Sequence, residues 1–229
     1  MKVLVVDVGG THVKILASGQ TEERRVESGP KMNAAQMVRE VRALARGWAF
    51  DAVSIGYPGA VRHGAPAAEP HNLGKGWVGF DYAGAFGCPV KIVNDAAMQA
   101  LGSFDKDKGT LLFLGLGTGL GTTLVIDGTI VPMELAHLPY RRATFEDYVG
   151  GQALLRDGPR KWRKRVADVV ERLRAALLPD DVVLGGGNVQ QLKTLPPGCR
   201  AGDNANAFIG GFRLWPAAPR KTPSRGPRA

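Results

Sequence analysis

The feature that most constrains the fold is a strand–glycine turn–strand unit that occurs twice, once in each half of the chain. In the first half, residues 2–8 (KVLVVDV) form an apolar run typical of a buried strand. Gly9 and Gly10 then form a tight turn before a returning strand at 12–17. Residues 110–126 (TLLFLGLGTGLGTTLVI) repeat this pattern in the second half. Two similar halves predict an α/β protein with two lobes and a cleft between them.

Further predicted elements complete each half. Strands are predicted at 22–27, 52–57, 90–93, 129–131 and 182–184, and helices at 34–46, 94–103, 145–155, 159–178 and 205–215. They predict a first lobe at 1–105 and a second lobe at 106–203, with the helix at 204–215 packing back on the first lobe. Residues 216–229 contain four prolines and four basic residues, a composition that predicts disorder.

Composition limits the classes of function. The 229 residues contain no apolar run of the roughly 18 residues that a membrane span needs. The first apolar run ends at Asp7, unlike a signal peptide, so we expect a cytoplasmic protein without a membrane partner. Cys88 and Cys199 lie far apart and outside any CxxC pair, which argues against a zinc site or a disulfide framework.

The net charge points to anionic partners without choosing among them. It is +9, and the four basic residues of the tail, which has no acid, leave +5 for the rest of the chain. A basic body of this kind suits nucleotides, polyphosphate or nucleic acid.

The first glycine turn carries residues suited to binding phosphate. Backbone N–H groups exposed at such a turn bind phosphate oxygens, so Gly9 and Gly10 are candidates, together with the Thr11 hydroxyl and Lys14. Asp7, at the strand end, is a candidate ligand of Mg²⁺, directly or through water. A simple β-hairpin explains the same residues, so that alternative stays open for this motif alone.

The second glycine turn, Gly117-Thr118-Gly119, repeats the device in the second half. Similar glycine patterns occur in dinucleotide-binding folds, but there the turn joins a strand to a helix, whereas here it joins two strands. Two such hairpins can hold one phosphate chain from both sides. A third glycine run, Gly185-Gly186-Gly187, follows a predicted strand and lets a flat ring such as adenine approach the backbone, although it also fits an ordinary loop before a helix.

Two polar groups of residues suit a sugar. A sugar hydroxyl is a poor nucleophile, and a carboxylate in reach can accept its proton during phosphoryl transfer, so Asp95 is the candidate catalytic base. An ordinary helix start, with Asn94 as N-cap, explains the same pair. Glu134, His137 and Glu146 carry planar polar groups that suit vicinal sugar hydroxyls, and they also fit a description as surface acids and a hydrogen-bonded histidine.

The order of these motifs resembles that of the ROK sugar kinases, and most of all their polyphosphate glucokinase branch. The motifs are DVGGT, YPG, NL with a following W, NDA, LGTGLGTTLVIDG, ELAH and the GGG loop, and they extend from about residue 2 to residue 214. This resemblance implies the two-lobed hexokinase–actin type of α/β fold, which is ribonuclease H-like. It also implies a phosphotransferase with an alcohol group as acceptor, Mg²⁺ as cofactor, and a hexose as partner.

The resemblance also implies a role for each matching residue. Asp95 is the implied base, and Asn94, Glu134 and His137 are implied sugar contacts. Asn72, in HNLGKGW, matches a sugar-contacting asparagine, and Gly59 places backbone against the sugar. One implied phosphate-binding loop consists of Asp7, Gly9, Gly10 and Thr11, and the other consists of Gly117, Thr118 and Gly119. The implied position of Gly185, Gly186 and Gly187 is beside the adenosine.

Three departures from the family pattern bear on these roles. Most ROK kinases carry a cysteine-rich zinc loop after the histidine of the ExGH motif, and this chain has no cysteine there, so zinc is not expected. The segment 145–151 (FEDYVGG) resembles the one that follows the zinc loop, where a glutamate touches the sugar, which implies a sugar contact for Glu146. Ala136 replaces the usual glycine between Glu134 and His137, and the chain is short for the family.

The donor and the exact sugar stay open at this point. A basic-rich stretch suits a track for polyphosphate, but it also fits the solvated face of a helix. Its members are Arg141, Arg142, Arg156, Arg160, Lys161, Arg163, Lys164 and Arg165. Glucose is the default sugar, with polyphosphate, ATP or both as donor. The alternatives are an ATP-only kinase for mannose, fructose or N-acetylmannosamine, and a non-catalytic sugar-binding protein on the same fold.

A nucleic-acid partner is not expected. A repressor of the family needs an N-terminal helix-turn-helix. The chain begins directly in the first strand, so we expect no helix-turn-helix and no repressor function. A homodimer is common in the family, and the sequence leaves the oligomeric state open.

Overall fold

Two five-stranded sheets, one from each half of the chain, form the framework of the structure, a computed structural model that describes residues 1–106 and 108–215. The first half contains β1 (Val3–Val8), β2 (His12–Ala17), β3 (Arg24–Glu27), α1 (Ala34–Leu44), β4 (Ala52–Tyr57), β5 (Val61–Arg62), β6 (Ala65–Pro66), α2 (Tyr82–Phe86), β7 (Val90–Asn94) and α3 (Asp95–Ser103). Its sheet has the order β3-β2-β1-β4-β7. β1 and β2 pair antiparallel, whereas β1, β4 and β7 run parallel, and every residue of β4 is buried, as a central parallel strand requires.

The second half repeats this arrangement. It contains β8 (Thr110–Leu116), β9 (Leu120–Ile126), β10 (Thr129–Met133), a 3₁₀ turn (Leu135–His137), β11 (Pro139–Tyr140), β12 (Ala143–Thr144), α4 (Phe145–Val149), α5 (Gly151–Leu177), β13 (Asp181–Gly185), a second 3₁₀ turn (Gly187–Gln191), β14 (Cys199–Ala201) and α6 (Asn206–Arg213). The sheet order is β10-β9-β8-β13-β14, with β8 and β9 antiparallel and β8, β13 and β14 parallel. The predicted repetition of strand, glycine turn and strand is therefore present in both sheets.

Helices α3 and α6 cross closely, because glycine lies at the contact. A Cβ at Gly102 would overlap the Asn206 carbonyl oxygen, and a Cβ at Gly210 would overlap the Met98 carbonyl oxygen. α6 also lies on the first sheet, where the Ser54 hydroxyl donates to the Gly211 carbonyl over 2.6 Å. α3 in turn packs on the second sheet, so the two helices link the sheets. The predicted boundaries of the lobes stay a prediction.

The structure corrects one helix assignment and adds short elements. The sequence predicts helices at 145–155 and 159–178, but α4 ends at Val149 and α5 already begins at Gly151. The predicted break lies at Gly158, where φ is 73°. The sequence analysis missed the hairpins β5–β6 and β11–β12, α2 and β14, all of them short. The predicted disorder of 216–229 concerns residues outside the described part of the chain.

Within residues 1–106 and 108–215, no helix is both long enough and apolar enough to cross a bilayer.

Candidate active site

The first glycine turn lies at the carboxyl end of β1 and is held by hydrogen bonds of its own backbone and of Ser28. The Gly9 N–H donates to the His12 carbonyl over 2.9 Å, which closes the turn. The Ser28 hydroxyl holds the Gly9 carbonyl over 2.6 Å, and the Ser28 N–H holds the Thr11 carbonyl over 2.9 Å. Among the described residues, the N–H groups of Gly10 and Thr11 have no acceptor. Unpaired N–H groups on a fixed turn are suited to an anion.

Asp7 precedes this turn and carries a carboxyl group that ionises reluctantly. Burial raises its pKa from the ordinary value of 3.8 to about 6, the nearby Lys14 lowers it, and Glu23 raises it again. Lys14 faces Asp7 across the β1–β2 pair, and its ammonium lies 3.5 Å from a Glu23 carboxylate oxygen. A cation bound at Asp7 would relieve the cost of its buried charge.

Asn94 and Asp95 form the junction between β7 and α3. Asn94 is the N-cap of α3: its Oδ1 accepts from the Ala96 N–H over 2.9 Å and from the Ala97 N–H over 3.3 Å. Its Nδ2 donates to the Gly59 carbonyl over 3.0 Å. Asn94 therefore fixes both the start of α3, where Asp95 stands, and the backbone at Gly59.

Asp95 has the electrostatic environment of a general base. Burial raises its pKa from 3.8 to about 7, the negative charge of Asp7 adds to this, and the N–H groups of Ala96 and of Asp95 itself lower it. A base with a pKa near the working pH is effective in proton transfer. The two carboxyl groups thus interact electrostatically at the carboxyl ends of two strands of one sheet.

Gly56 provides the space between these two strands. It lies on β4, opposite Asp7 on one side and opposite Val93 on the other. A Cβ at Gly56 would overlap the Met98 side chain and would lie 3.5 Å from Asp7 Oδ1. A larger residue here would displace either α3 or the Asp7 carboxyl group.

Two further residues predicted to bind sugar lie near these groups. Asn72 is exposed and lies above the first turn, where its Cβ would be 3.3 Å from a Cβ at Gly10. Gly59 lies against Tyr57, whose Cε1 would be 2.9 Å from a Cβ at Gly59. The structure therefore brings Asn72 to the first glycine turn and Gly59 to Asn94.

Glu134 and His137 stand at either end of the 3₁₀ turn after β10. The Glu134 Oε2 and His137 Nε2 atoms lie 4.0 Å apart, and the side chains are 66% and 69% exposed. Thr122 positions this turn, since its hydroxyl accepts from the Leu135 N–H over 3.0 Å and donates to the Met133 carbonyl over 2.9 Å. Within 1–106 and 108–215, no hydrogen bond or ion pair joins Glu134 or His137 to Asp95.

Glu146 lies against the second glycine turn. Its Oε2 accepts from the Leu120 N–H over 2.9 Å, and a Cβ at Gly119 would overlap the carboxylate. Within the turn, the Gly117 N–H donates to the Gly119 carbonyl over 3.1 Å. In the described part of the chain, the N–H groups of Thr118 and Gly119 have no acceptor. Glu146 therefore holds this turn in place, and its predicted contact with sugar stays a prediction.

Residues that the sequence analysis did not assign also hold the second turn. The Asn188 Nδ2 donates to the Gly117 carbonyl over 2.8 Å, and the Gly151 N–H donates to the Thr118 carbonyl over 2.9 Å. Asn188 directly follows the third glycine run, which was its only sequence signal. In that run, Gly186 has a φ of 84° and packs on Leu116, whereas a Cβ at Gly187 would meet nothing within 4 Å.

The carboxylates do not form a closed metal site by themselves. Among the described residues, no group of three or more His, Cys, Asp and Glu side chains is arranged to hold a metal ion. A single carboxylate such as Asp7 fits Mg²⁺, which commonly binds one or two carboxylates together with substrate phosphates and water. The absence of zinc stays a prediction.

Comparison with known proteins identifies the family. The model of the ROK family matches residues 3–132, which is more than half of the chain. The chain therefore belongs to the ROK family.

Two curated relatives are sugar kinases. The chain is 28% identical over 205 residues to the polyphosphate glucokinase of Mycobacterium tuberculosis, an alignment that covers 80% of this chain and 76% of that protein. It is 27% identical over 173 residues to the N-acetylmannosamine kinase of Vibrio vulnificus, which covers 69% of this chain and 56% of that protein.

A solved structure shows the same fold. The inorganic polyphosphate/ATP-glucomannokinase from Arthrobacter sp. strain KM superimposes with a TM-score of 0.74 at 23% identity, over 92% of this chain and 96% of that chain. The predicted two-lobed α/β fold of the hexokinase–actin type is confirmed. The predicted family and class of enzyme, a ROK sugar kinase that transfers a phosphoryl group to a sugar hydroxyl, are confirmed as well.

Proposed function

We propose that the protein transfers a phosphoryl group from polyphosphate, ATP or both to a hexose hydroxyl, converting glucose to glucose 6-phosphate. The observation that carries this proposal is the Asp95 carboxyl group at the start of α3. Burial and the negative charge of Asp7 raise its pKa to about 7. Two glycine turns, one per sheet, support a phosphate-binding role, because in the described part of the chain the N–H groups at residues 10, 11, 118 and 119 have no acceptor.

Each proposed role follows from a local contact. Asp95 accepts the hydroxyl proton while the sugar oxygen bonds to phosphorus and the bond between that phosphorus and the donor oxygen breaks. Asp7 would hold Mg²⁺, which would neutralise negative charge on the phosphates. Gly9, Gly10, Thr11 and Lys14 bind phosphate from one side, and Gly117, Thr118 and Gly119 bind it from the other. Gly185, Gly186 and Gly187 lie beside the nucleotide.

The proposed sugar contacts are Gly59, Asn72, Asn94, Glu134, His137 and Glu146. Asn94 supports this through its bond to Gly59, which ties one proposed contact to another. Glu134 and His137 offer an exposed carboxylate and imidazole at the end of β10. In the proposed reaction the two lobes close around the sugar, and closure excludes water from the donor.

A matrix of sugars against donors tests the proposal. Glucose, mannose, fructose and N-acetylmannosamine are each incubated with MgATP and with magnesium polyphosphate, and the sugar phosphate formed is measured. We expect glucose 6-phosphate from at least one donor. Failure to form any sugar phosphate from either donor would refute the catalytic proposal and favour a sugar-binding protein.

A second candidate is a kinase that uses only ATP and another hexose. The relative named N-acetylmannosamine kinase supports it. Turnover of N-acetylmannosamine with ATP, without turnover of glucose, would select this candidate.

A further inference from the structure

The break in α5 forms an open groove on the second lobe with a volume of about 430 Å³. The groove lies outside the site described above, at the point where the φ of 73° at Gly158 interrupts the helix. Six residues line it: Asp157, Gly158, Pro159, Arg160, Lys161 and Lys164. These six residues are called the α5 groove below.

The structure divides the eight members of the predicted basic stretch into two groups. Half of them are held by neighbouring groups: Arg141 lies over the Tyr140 ring, Arg156 and Arg165 pair with Asp157, and Arg163 donates to the Gln191 carbonyl. Among the described residues, Arg160, Lys164 and Arg142 have no ion-pair or hydrogen-bond partner, and Arg142 lies outside the α5 groove. Lys161 has only a 3.7 Å approach to Asp157. The uncommitted charge is therefore concentrated in the groove.

The one acid of the groove does not cancel this charge. Asp157 is only 11% exposed and pairs with Arg156 at 2.9 Å and with Arg165. Its single negative charge is thus already matched by two arginines that do not line the groove. Arg160, Lys161 and Lys164 keep exposed cationic ends that can meet an anion.

The groove is joined to both segments proposed to bind the donor. α5 starts at Gly151, whose N–H donates to the Thr118 carbonyl of the second glycine turn over 2.9 Å. Gly158 is seven residues further on, a rise of about 10 Å along the helix. Beyond the break, Arg163 binds the carbonyl of Gln191, at the end of the 3₁₀ turn that begins at Gly187. A phosphate chain that extends out of the space between the two glycine turns therefore has this groove about 10 Å away along α5.

We propose that the α5 groove binds the distal phosphates of an inorganic polyphosphate chain whose terminal phosphoryl group lies between the two glycine turns. This inference rests on the proposed function, since it extends the donor site of that reaction. ATP has three phosphates and an adenosine, and the proposed function assigns these to the glycine turns and the 185–187 segment. Only a longer chain has phosphates left over to reach Arg160, Lys161 and Lys164.

Binding of long-chain polyphosphate, compared with tripolyphosphate, tests the proposal. Three proteins are compared by calorimetry at several salt concentrations: the wild type, the variant Arg160→Gln/Lys161→Gln/Lys164→Gln, and the control Lys2→Gln/Arg39→Gln/Arg46→Gln. The control removes the same number of exposed charges from the first lobe. The groove variant should bind the long chain at least about fivefold more weakly and bind tripolyphosphate as the wild type does. The dependence of log Kd on log salt should become shallower by about 2–3, because each phosphate contact contributes close to one.

The outcomes separate this proposal from the proposed function. If polyphosphate yields no sugar phosphate but the long chain still binds in the groove, polyphosphate is not the donor, and the proposed binding in the α5 groove is supported. If the groove variant binds the long chain as well as the control does, the groove proposal is overturned even where polyphosphate is a donor. Equal binding of single-stranded DNA of matched charge in the groove would also overturn it, since the site would then be a general polyanion surface.

Discussion

The two glycine turns have the same backbone pattern but are built in different ways. The first turn carries its own chemistry, because Asp7 precedes it and Lys14 faces Asp7 across the hairpin. The second turn, residues 117–119, has no ionisable side chain, and three distant residues hold it: Glu146, Asn188 and Gly151. We infer that substitutions at the first turn change the chemical step, whereas substitutions at the second change how the donor is positioned.

In the comparison of the two turns, the largest effect is expected at the first turn, for Asp7→Asn. The amide keeps the size of the side chain but removes the charge proposed to hold Mg²⁺ against the phosphates. The value of kcat should fall by about 10²–10³, the range seen when one group aimed at transition-state charge is lost. Steady-state kinetics at saturating sugar and donor measures it. A kcat within threefold of the wild type would show that Asp7 is not part of the chemistry.

At the second turn, we expect added side-chain volume to weaken donor binding and stability. The pair Gly119→Ala and Gly117→Ala tests this. A Cβ at Gly119 would overlap the Glu146 carboxylate, whereas a Cβ at Gly117 would meet nothing within 4 Å. Gly119→Ala should therefore break the Glu146–Leu120 hydrogen bond and also displace the backbone of the turn, so the donor KM should rise by about tenfold, the upper end of what one hydrogen bond contributes. It should also lower the Tm by about 2–4 °C per kcal/mol lost.

The control, Gly117→Ala, should keep the Tm of the wild type, because the methyl group has free space in the folded protein. Equal Tm values for the two variants would contradict the packing described for Glu146.

The turns should also differ in how stability depends on pH. Burial raises the pKa values of Asp7 and Asp95 to about 6 and about 7, so the folded state keeps protons that the unfolded chain has released above about pH 4. These groups therefore lower stability as the pH rises toward 7. Asp7→Asn should raise the Tm relative to wild type more at pH 8 than at pH 4.5.

Thermal unfolding at the two pH values checks this, with Gly117→Ala as the control whose difference from wild type should not change with pH. The same Tm difference for Asp7→Asn at both pH values would show that the ionised Asp7 carboxylate does not destabilise the folded state.

The smallest effect is expected for Glu146, which the structure places against the second turn. Glu146→Ala removes the acceptor of the Leu120 N–H, and the loss of one hydrogen bond of about 0.5–1.5 kcal/mol should raise the donor KM about two- to tenfold. Glu146→Gln keeps an acceptor oxygen and should restore most of the affinity. Because Glu146 is also a proposed sugar contact, the sugar Kd of Glu146→Ala, measured by calorimetry without donor, should weaken as well. An unchanged sugar Kd with a raised donor KM would leave Glu146 as a support of the second turn alone.

The sequence revealed the parts of the site that depend on neighbouring residues. The two hairpins and the Asn94 cap follow from runs of apolar residues, glycine and a capping side chain, all within about ten positions. The support of the second turn does not, because Glu146 is 26 residues from Leu120 and Asn188 is 71 residues from Gly117. Long-range contacts of this type depend on how the sheets and helices pack, and the pattern along the chain does not specify them.

The same reason explains the helices. The apolar spacing predicted α1 and the second part of α5, and the Asn94 cap predicted α3. By contrast, α4 and the early start of α5 depend on the packing of Gly150 and Gly151 against Thr118. The close crossing of α3 and α6 requires Gly102 and Gly210 to meet, and each glycine alone gave no sign of a partner more than a hundred residues away.

The central claim is that Asp95 accepts the proton of the sugar hydroxyl, and Asp95→Asn tests it most directly. The amide has nearly the same shape and cannot take the proton, so kcat should fall by about 10²–10⁴ while the Kd of the sugar, measured by calorimetry, stays within a few-fold of the wild type. A variant that binds sugar normally and turns over at the wild-type rate would contradict the account.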